Sequence, residues 1–297
     1  MIQTPPAIQL VTPPAWPDYA LLDSGGGAKL ERYGPYRFVR PEHQAIWRRA
    51  LPDTEWQRAH AVFQSTGEES GGHWLFKENL PANWQMRYKD LVFFIQANPS
   101  RHMGVFPEQA SHWDWIQDKI EKVCRPVKVL NLFGYTGLAT LAAAQAGAQV
   151  THVDASKKVI QLARQNQELS GLSERPIRWL VDDAEKFVRR EVRRQAQYDG
   201  IILDPPKFGR GPEGQVWEFF TALPDLLEQL RLLLSPRPLF IVLTAYAIRA
   251  SAVSVHYALQ EMVSGLDGHI ETGELALQER SAGRILSMAI FSRWSGN

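Results

Sequence analysis

The residues best suited to chemistry are Leu203-Asp204-Pro205-Pro206-Lys207-Phe208, which close the apolar run Tyr198–Leu203. A carboxylate, a rigid double-proline turn and an aromatic ring stand together at the carboxyl end of a buried strand, where open α/β sheets bind ligands. Prolines fix their own φ and donate no N–H, so carbonyls beside them stay available as acceptors. Acceptors next to a flat ring suit a planar substrate bearing an amine, a nucleobase more readily than a sugar or a lipid. Asp204, Pro205 and Phe208 are therefore the expected catalytic residues. Pro206 and Lys207 are expected to touch substrate, and Arg210, after Gly209, to touch a phosphate.

A second set lies upstream. Asn131-Leu132-Phe133-Gly134-Tyr135-Thr136-Gly137 ends a strand and leads into a helix. Glycines at such a turn let a ligand approach the backbone, and a helix N-terminus favours an anionic group. Asp154 ends the next strand, with Ala155 after it, where a carboxylate can accept from two ribose hydroxyls. Asp182 and Asp183 end the third, placed to accept from an adenine amine. Alone, Gly134 and Gly137 fit a tight structural turn equally well, and Asp182-Asp183 is most often a helix cap. In order, one per strand end, they describe a nucleoside site. A G-x-G-x-x-G pyrophosphate cradle is absent, since Thr136 and Ala139 stand where its glycines would be. An adenosine cofactor without phosphate, S-adenosylmethionine, fits better.

These residues need an alternating scaffold. Strands are expected at Val127–Leu132, Gln149–Val153, Ile177–Val181, Tyr198–Leu203 and Leu239–Leu243. Helices are expected at Gly137–Ala146, Ser156–Ser170, Ala184–Gln195, Val216–Leu234 and Ile248–Val263. Two final strands, Ile270–Leu277 and Gly283–Phe291, read as a hairpin. The alternation predicts a doubly wound, Rossmann-like seven-stranded sheet. Residues 1–105 are rich in Trp, Tyr, Pro and Gly and predict a small β-rich N-terminal domain, with strand pairs at Tyr19–Asp23/Ala28–Tyr33 and Trp84–Tyr88/Leu91–Ala97. Residues 106–297 form the second domain, entered through a helix over Glu108–Val123.

At 297 residues, 44% hydrophobic and 22% charged, the composition is that of a soluble globular protein. A net charge of +1 gives no global sign of nucleic-acid binding, so any basic surface is local. The first residues carry prolines rather than a signal-peptide pattern, and no stretch reaches membrane-spanning length. With a single cysteine, Cys124, the expected location is cytoplasmic. The eight histidines are scattered, which argues against a metal site. Trp47, Trp56, Trp74 and Trp84 are expected to fill the small domain, and Arg189–Arg194 to be a solvated helix face.

Together the motifs resemble the class I S-adenosylmethionine-dependent RNA methyltransferases of the large-subunit ribosomal RNA type. Asn131–Gly137 is similar to that family's first motif, which often carries Asn where other methyltransferases carry an acid. Asp204–Phe208 resembles its fourth. Gly104-Val105-Phe106-Pro107-Glu108-Gln109 resembles the segment before the methyltransferase domain, where an acid–Gln pair lies near the cofactor, which makes Gln109 a cofactor contact. The likeness implies that Phe133–Gly137 line the methionine end, with Asp154 on the ribose and Asp182 or Asp183 on adenine. Asp204 and Pro205 would then face the reacting centre, and Phe208 would pack on the target base. RNA, ribosomal above all, is the implied partner, while the oligomeric state is left open. Ala110 follows Gln109 where the family has arginine, and the N-terminal half does not read as the basic RNA-binding domain of many relatives.

Methylation of a pyrimidine carbon needs a cysteine that adds to the ring. Here Leu243-Thr244-Ala245-Tyr246 follows the fifth strand without one, and Cys124 is expected to be packed before the first strand. The expected acceptor is therefore nitrogen. Alternatives are a protein side-chain amide, a small amine, or cofactor binding without turnover.

Overall fold

The computed structural model describes residues 5–66, 71–97 and 101–297. Two compact units form. The larger comprises Met1–Val11, Ser111–Leu275 and Ala289–Asn297; the smaller comprises Thr12–Ala110 and Ala276–Met288. The division is thus not a single cut, because the chain's first strand, β1 (Ile8–Val11), pairs in parallel with β16 (Gly268–Gln278) near the C-terminus. Residues before Trp16 carried no strand expectation, and prolines on either side of β1 explain why a four-residue edge strand is hard to see.

In the smaller unit, β2 (Tyr19–Gly25), β3 (Ala28–Tyr33), β4 (Tyr36–Pro41), β5 (Ala61–Ser65) and β6 (Gly72–Phe76) form one sheet in that order, with the short helix α1 (Asp53–Gln57) between β4 and β5. Gly26 and Gly27 join β2 to β3 with φ of 61° and 74°, the left-handed pair that a tight two-residue hairpin requires. A separate ribbon pairs β7 (Trp84–Tyr88) with β8 (Leu91–Ile95). Of the four tryptophans expected in this core, Trp56 is buried, and Trp47, Trp74 and Trp84 are half-buried.

The larger unit alternates as expected. Helix α2 (Ala110–Glu121) leads to β9 (Lys128–Leu132), α3 (Leu138–Gln145), β10 (Gln149–Asp154), α4 (Lys157–Leu169), β11 (Ile177–Val181), α5 (Ala184–Arg193) and β12 (Gly200–Leu203). After a small ribbon of β13 (Phe208–Arg210) and β14 (Val216–Glu218) come α6 (Phe219–Arg231), β15 (Phe240–Ala245), α7 (Ala252–Met262), β16 and β17 (Ile285–Gly296). The sheet has eight strands, β1-β16-β17-β15-β12-β9-β10-β11: the seven expected plus β1 at one edge. β9, β10, β11, β12 and β15 run parallel, and β17 is antiparallel to β15. Alternate strand residues serve opposite helical layers. Leu130, Leu132, Ile201 and Leu203 pack with residues of α5, α6 and α7. Val129, Val150, Ile202 and Val242 pack with those of α2 and α3.

Two expectations are corrected. The helix expected over Val216–Leu234 begins only at Phe219; Val216–Glu218 is strand, because Trp217 must turn inward while its neighbours face out, and the Glu218 carboxylate caps α6 by accepting from Thr221 N at 2.9 Å. Cys124, expected to be packed, is exposed, since it lies in the loop between α2 and β9 rather than on either element.

Candidate active site

Parallel register assembles the site. Leu203 pairs with Leu132, Leu132 with Val153, and Val153 with Leu180. The residues one step further, Asp204, Phe133, Asp154 and Val181, therefore emerge together at the carboxyl edge of the sheet. The chain leaves β9 towards β10 on one side, while β12 lies on the other, so Phe133 and Asp204 flank the point where strand order reverses.

The turn after β9 is tightly held. Phe133 and Tyr135 take positive φ of 55° and 49° on either side of Gly134, and Gly137 has φ of 86°. A non-glycine residue in that region is uncommon and strained, and such strain gathers at ligand-binding loops. Gly134 N donates to Val153 O at 3.2 Å, and Gly137 N donates to Gly134 O at 3.1 Å. Asn166 of α4, unforeseen from sequence, is buried and donates from Nδ2 to Thr136 O at 3.0 Å.

Asp154 is half-buried. Its Oδ2 accepts from Tyr135 N at 3.0 Å and its Oδ1 from Ser156 N at 2.8 Å. Burial raises its pKa, and those two backbone donors offset only part of that. One N–H on each oxygen leaves lone pairs on both for hydroxyl donors. Helix α3 starts at Gly137 with no side-chain cap, whereas α4, α5, α6 and α7 are capped by Ser156, Asp183, Glu218 and Ser251. An uncapped first turn beside an acceptor carboxylate fits an amino-acid carboxylate joined to a ribose, so the donor set suits S-adenosylmethionine.

At the third strand end the two aspartates differ. Asp183 caps α5, its Oδ1 accepting from Lys186 N at 2.9 Å. Asp182 accepts from Asp183 N at 2.9 Å and pairs with Arg190. Part of the basic face of α5 is thereby turned to the strand end. Ala155 is half-buried beside Asp154. Asn131 is turned inward, its Nδ2 donating to Thr140 Oγ1 at 2.9 Å. Gln109 ends a 3-10 turn, Pro107–Gln109, in the smaller unit.

Trp217 joins the two motifs. Its Nε1 donates to Pro206 O at 2.7 Å and its ring lies 5.0 Å from that of Phe133. On the ribbon's other face Phe208 is 56% exposed, Val216 57%, and Arg210 is exposed. Pro205 is buried, with Asp204 and Lys207 half-buried around it. Gly211 places its α-carbon close to Asp183, since a β-carbon there would lie 2.8 Å from Oδ2. The ribbon thus runs from the acceptor motif to the third strand end. Among the described residues no cluster of three or more histidine, cysteine, aspartate or glutamate side chains forms a metal site. Among the described residues no helix is long and apolar enough to cross a membrane.

A doubly wound sheet with an antiparallel seventh strand, and with a glycine turn and a carboxylate at its switch point, defines a methyltransferase of the Rossmann-like type. The chain belongs to the S-adenosylmethionine-dependent methyltransferase family, whose model matches residues 35–262. It is similar over its whole length to a SAM-dependent methyltransferase from Agrobacterium tumefaciens, at 49% identity and a TM-score of 0.93, covering 98% of that chain. A Streptococcus mutans protein shares the fold at 18% identity and a TM-score of 0.69, covering 93% of this chain and 75% of that one. Among curated relatives, the ribosomal RNA large subunit methyltransferase I of Klebsiella pneumoniae is 42% identical over 82 residues, 27% of this chain. The matched stretch spans only 20% of that relative's length.

Proposed function

We propose that this chain transfers the methyl group of S-adenosylmethionine to a nucleobase nitrogen in RNA, ribosomal RNA in the first place. The observation that carries the reading is the Trp217 bridge, which ties the carbonyl of Pro206 to the ring of Phe133 and so sets Asp204–Phe208 beside the cofactor turn. S-adenosylmethionine supplies an electrophilic methyl group on its sulfonium. Phe133–Gly137 would hold its methionine end, with the carboxylate at the start of α3; Asp154 and Ala155 would hold the ribose. Asp182, rather than the helix-capping Asp183, would accept from the adenine amine.

On the acceptor side, Asp204 and the Pro205 carbonyl would accept from an exocyclic amine and turn the nitrogen lone pair towards the methyl group. Positioning of this kind is the main contribution an enzyme makes to an in-line displacement. Phe208 would stack on the base, with Lys207 and Arg210 on neighbouring phosphates. Nitrogen is favoured over a pyrimidine carbon because the single cysteine lies before β9, a strand of five residues, or about 16 Å, from the turn that follows it. The ribosomal RNA named for the curated relatives supports the choice of substrate.

The test is transfer of labelled methyl from S-adenosylmethionine to RNA from a strain lacking the gene. Label should appear in an N-methylated nucleoside, and Phe208→Ala should reduce it. Label in protein with none in RNA, or in a C5-methylated pyrimidine, overturns the reading.

A further inference from the structure

His152 belongs to none of the motifs, yet it lies under the cofactor turn. It is fully buried on β10, two residues before Asp154. Asn131 Nδ2 donates to Thr140 Oγ1 at 2.9 Å, and the same hydroxyl lies 2.8 Å from His152 Nδ1, a bond in which either atom can be the donor. His152 Nε2 is buried without a hydrogen-bond partner, so the ring is held by this link to Thr140. Burial holds the pKa down to about 3, so the ring is neutral at pH 7.

The ring is in contact with Gly134. A β-carbon there would lie 2.3 Å from His152 Cε1 and 2.6 Å from Nδ1. Trp179 does the same beneath Gly137, 3.0 Å from its virtual β-carbon, and its ring centroid is 4.6 Å from that of His152. The two glycines that shape the turn thus rest on two rings, and Trp179 is itself fixed by donating from Nε1 to Gln167 Oε1 at 2.9 Å.

We propose that His152 is a positioning residue for the cofactor: its neutral imidazole, locked by Thr140 and Asn131, is the floor that holds Gly134–Gly137 in the shape that receives S-adenosylmethionine. Asn131 then serves the cofactor through Thr140 and His152. The inference rests on the cofactor of the family and not on the identity of the methyl acceptor, so its test needs no RNA.

Calorimetry with S-adenosylhomocysteine as the probe tests it. Thr140→Val and His152→Leu should each weaken binding about tenfold, the loss of one buried hydrogen bond. His152→Asn, whose side-chain amide can accept or donate where Nδ1 does, should stay within about threefold of wild type. Long-range nitrogen–proton spectra of the wild-type protein should show one neutral tautomer at pH 7. Wild-type affinity in folded Thr140→Val, a charged or tautomer-averaged ring, or a loss in His152→Asn equal to that in His152→Leu overturns the proposal. If His152→Leu does not fold, Thr140→Val and the tautomer spectrum decide.

Discussion

The two units bury polarity differently. The smaller one buries charge in pairs. Glu31 and Arg40 meet at 2.7 Å with Tyr19 and Tyr33 closing around Glu31 at 2.9 and 3.0 Å, and Arg284 pairs with Glu279 and with Asp23. The larger one buries ion pairs too, Arg293 with Glu271 and Asp199 with Arg125, but adds neutral chains: Asn131–Thr140–His152 beneath the cofactor turn, and His256–Thr272–Ser292 with links of 2.9 Å tying α7 to β16 and β17. Many of its ion pairs, such as Lys186–Glu213 and Lys122–Asp118, lie on the surface. A buried pair is strong only while both members are present; a neutral chain loses less when one link is cut.

Deleting one ion-pair partner should therefore have the largest effect. Burial pushes the Glu31 carboxyl up, but Arg40 and Lys29 outweigh it and hold it down to about 2. Arg40→Met strands that carboxylate and should cost about 3–5 kcal/mol in chemical denaturation. Replacing both partners, Glu31→Leu with Arg40→Met, should recover much of the loss. A double variant no more stable than the single one would show that the pair is not the unit of stability here.

The same contrast explains what could be read from sequence. The larger unit was legible because its strands are apolar and its candidate residues fall one per strand end. That rule alone sets Asp154, Asp204 and Gly134 at the carboxyl edge of the sheet. His152, Asn166 and Trp217 carried no such signal, because each bonds to or packs on a partner distant in sequence, and nothing in local spacing tells a buried bridging side chain from ordinary core. The apolar spacing of Val216–Leu234 was equally misleading at its start, where Trp217 packs on Phe133 by the alternation of a strand. In the smaller unit the β2–β3 hairpin was marked by its glycines, while the Glu31–Arg40 pair, nine residues apart on neighbouring strands, carried no signal of its own.

Mild acid should strike the larger unit through its buried neutral imidazoles. Burial depresses His152 to about 3, and burial together with Arg293 holds His112 well below its usual value. Unfolded histidine titrates near 6.5, so below that pH the unfolded chain binds protons that the folded one refuses. The stability these rings supply is complete above about pH 6.5 and drains away as the pH falls towards 3, by roughly 2 kcal/mol at pH 5 for His152. Glu31 works in the other window: its contribution is complete above about 4.5 and is lost only towards 2. His102 gives the smaller unit one depressed ring, brought to about 4 by burial and by Arg40, Arg101 and Lys29. Hydrogen exchange of His102→Gln at pH 7 and pH 5 isolates the comparison. Protection should fall in β10 and α2 and hold in β3 and β4; equal loss in both units would break it.

The smallest effect belongs to the second neutral chain, and it separates stability from function. Thr272 Oγ1 lies between His256 Nδ1 and Ser292 Oγ, all three buried, and β16 and β17 are separated from β9 in the sheet by β15 and β12. Thr272→Val keeps the shape and removes the bridging hydroxyl, leaving two polar atoms without it. The expected cost is about 1–2 kcal/mol, less than that of stranding Glu31. Thr140→Val performs the same chemistry under the Gly134 turn, so the two variants should lose similar stability. They should part in calorimetry, where Thr272→Val binds S-adenosylhomocysteine as the wild type does. If both weaken binding alike, the chain under the turn acts through global stability, and the contrast that matters in this molecule is the one between buried pairs and neutral chains alone.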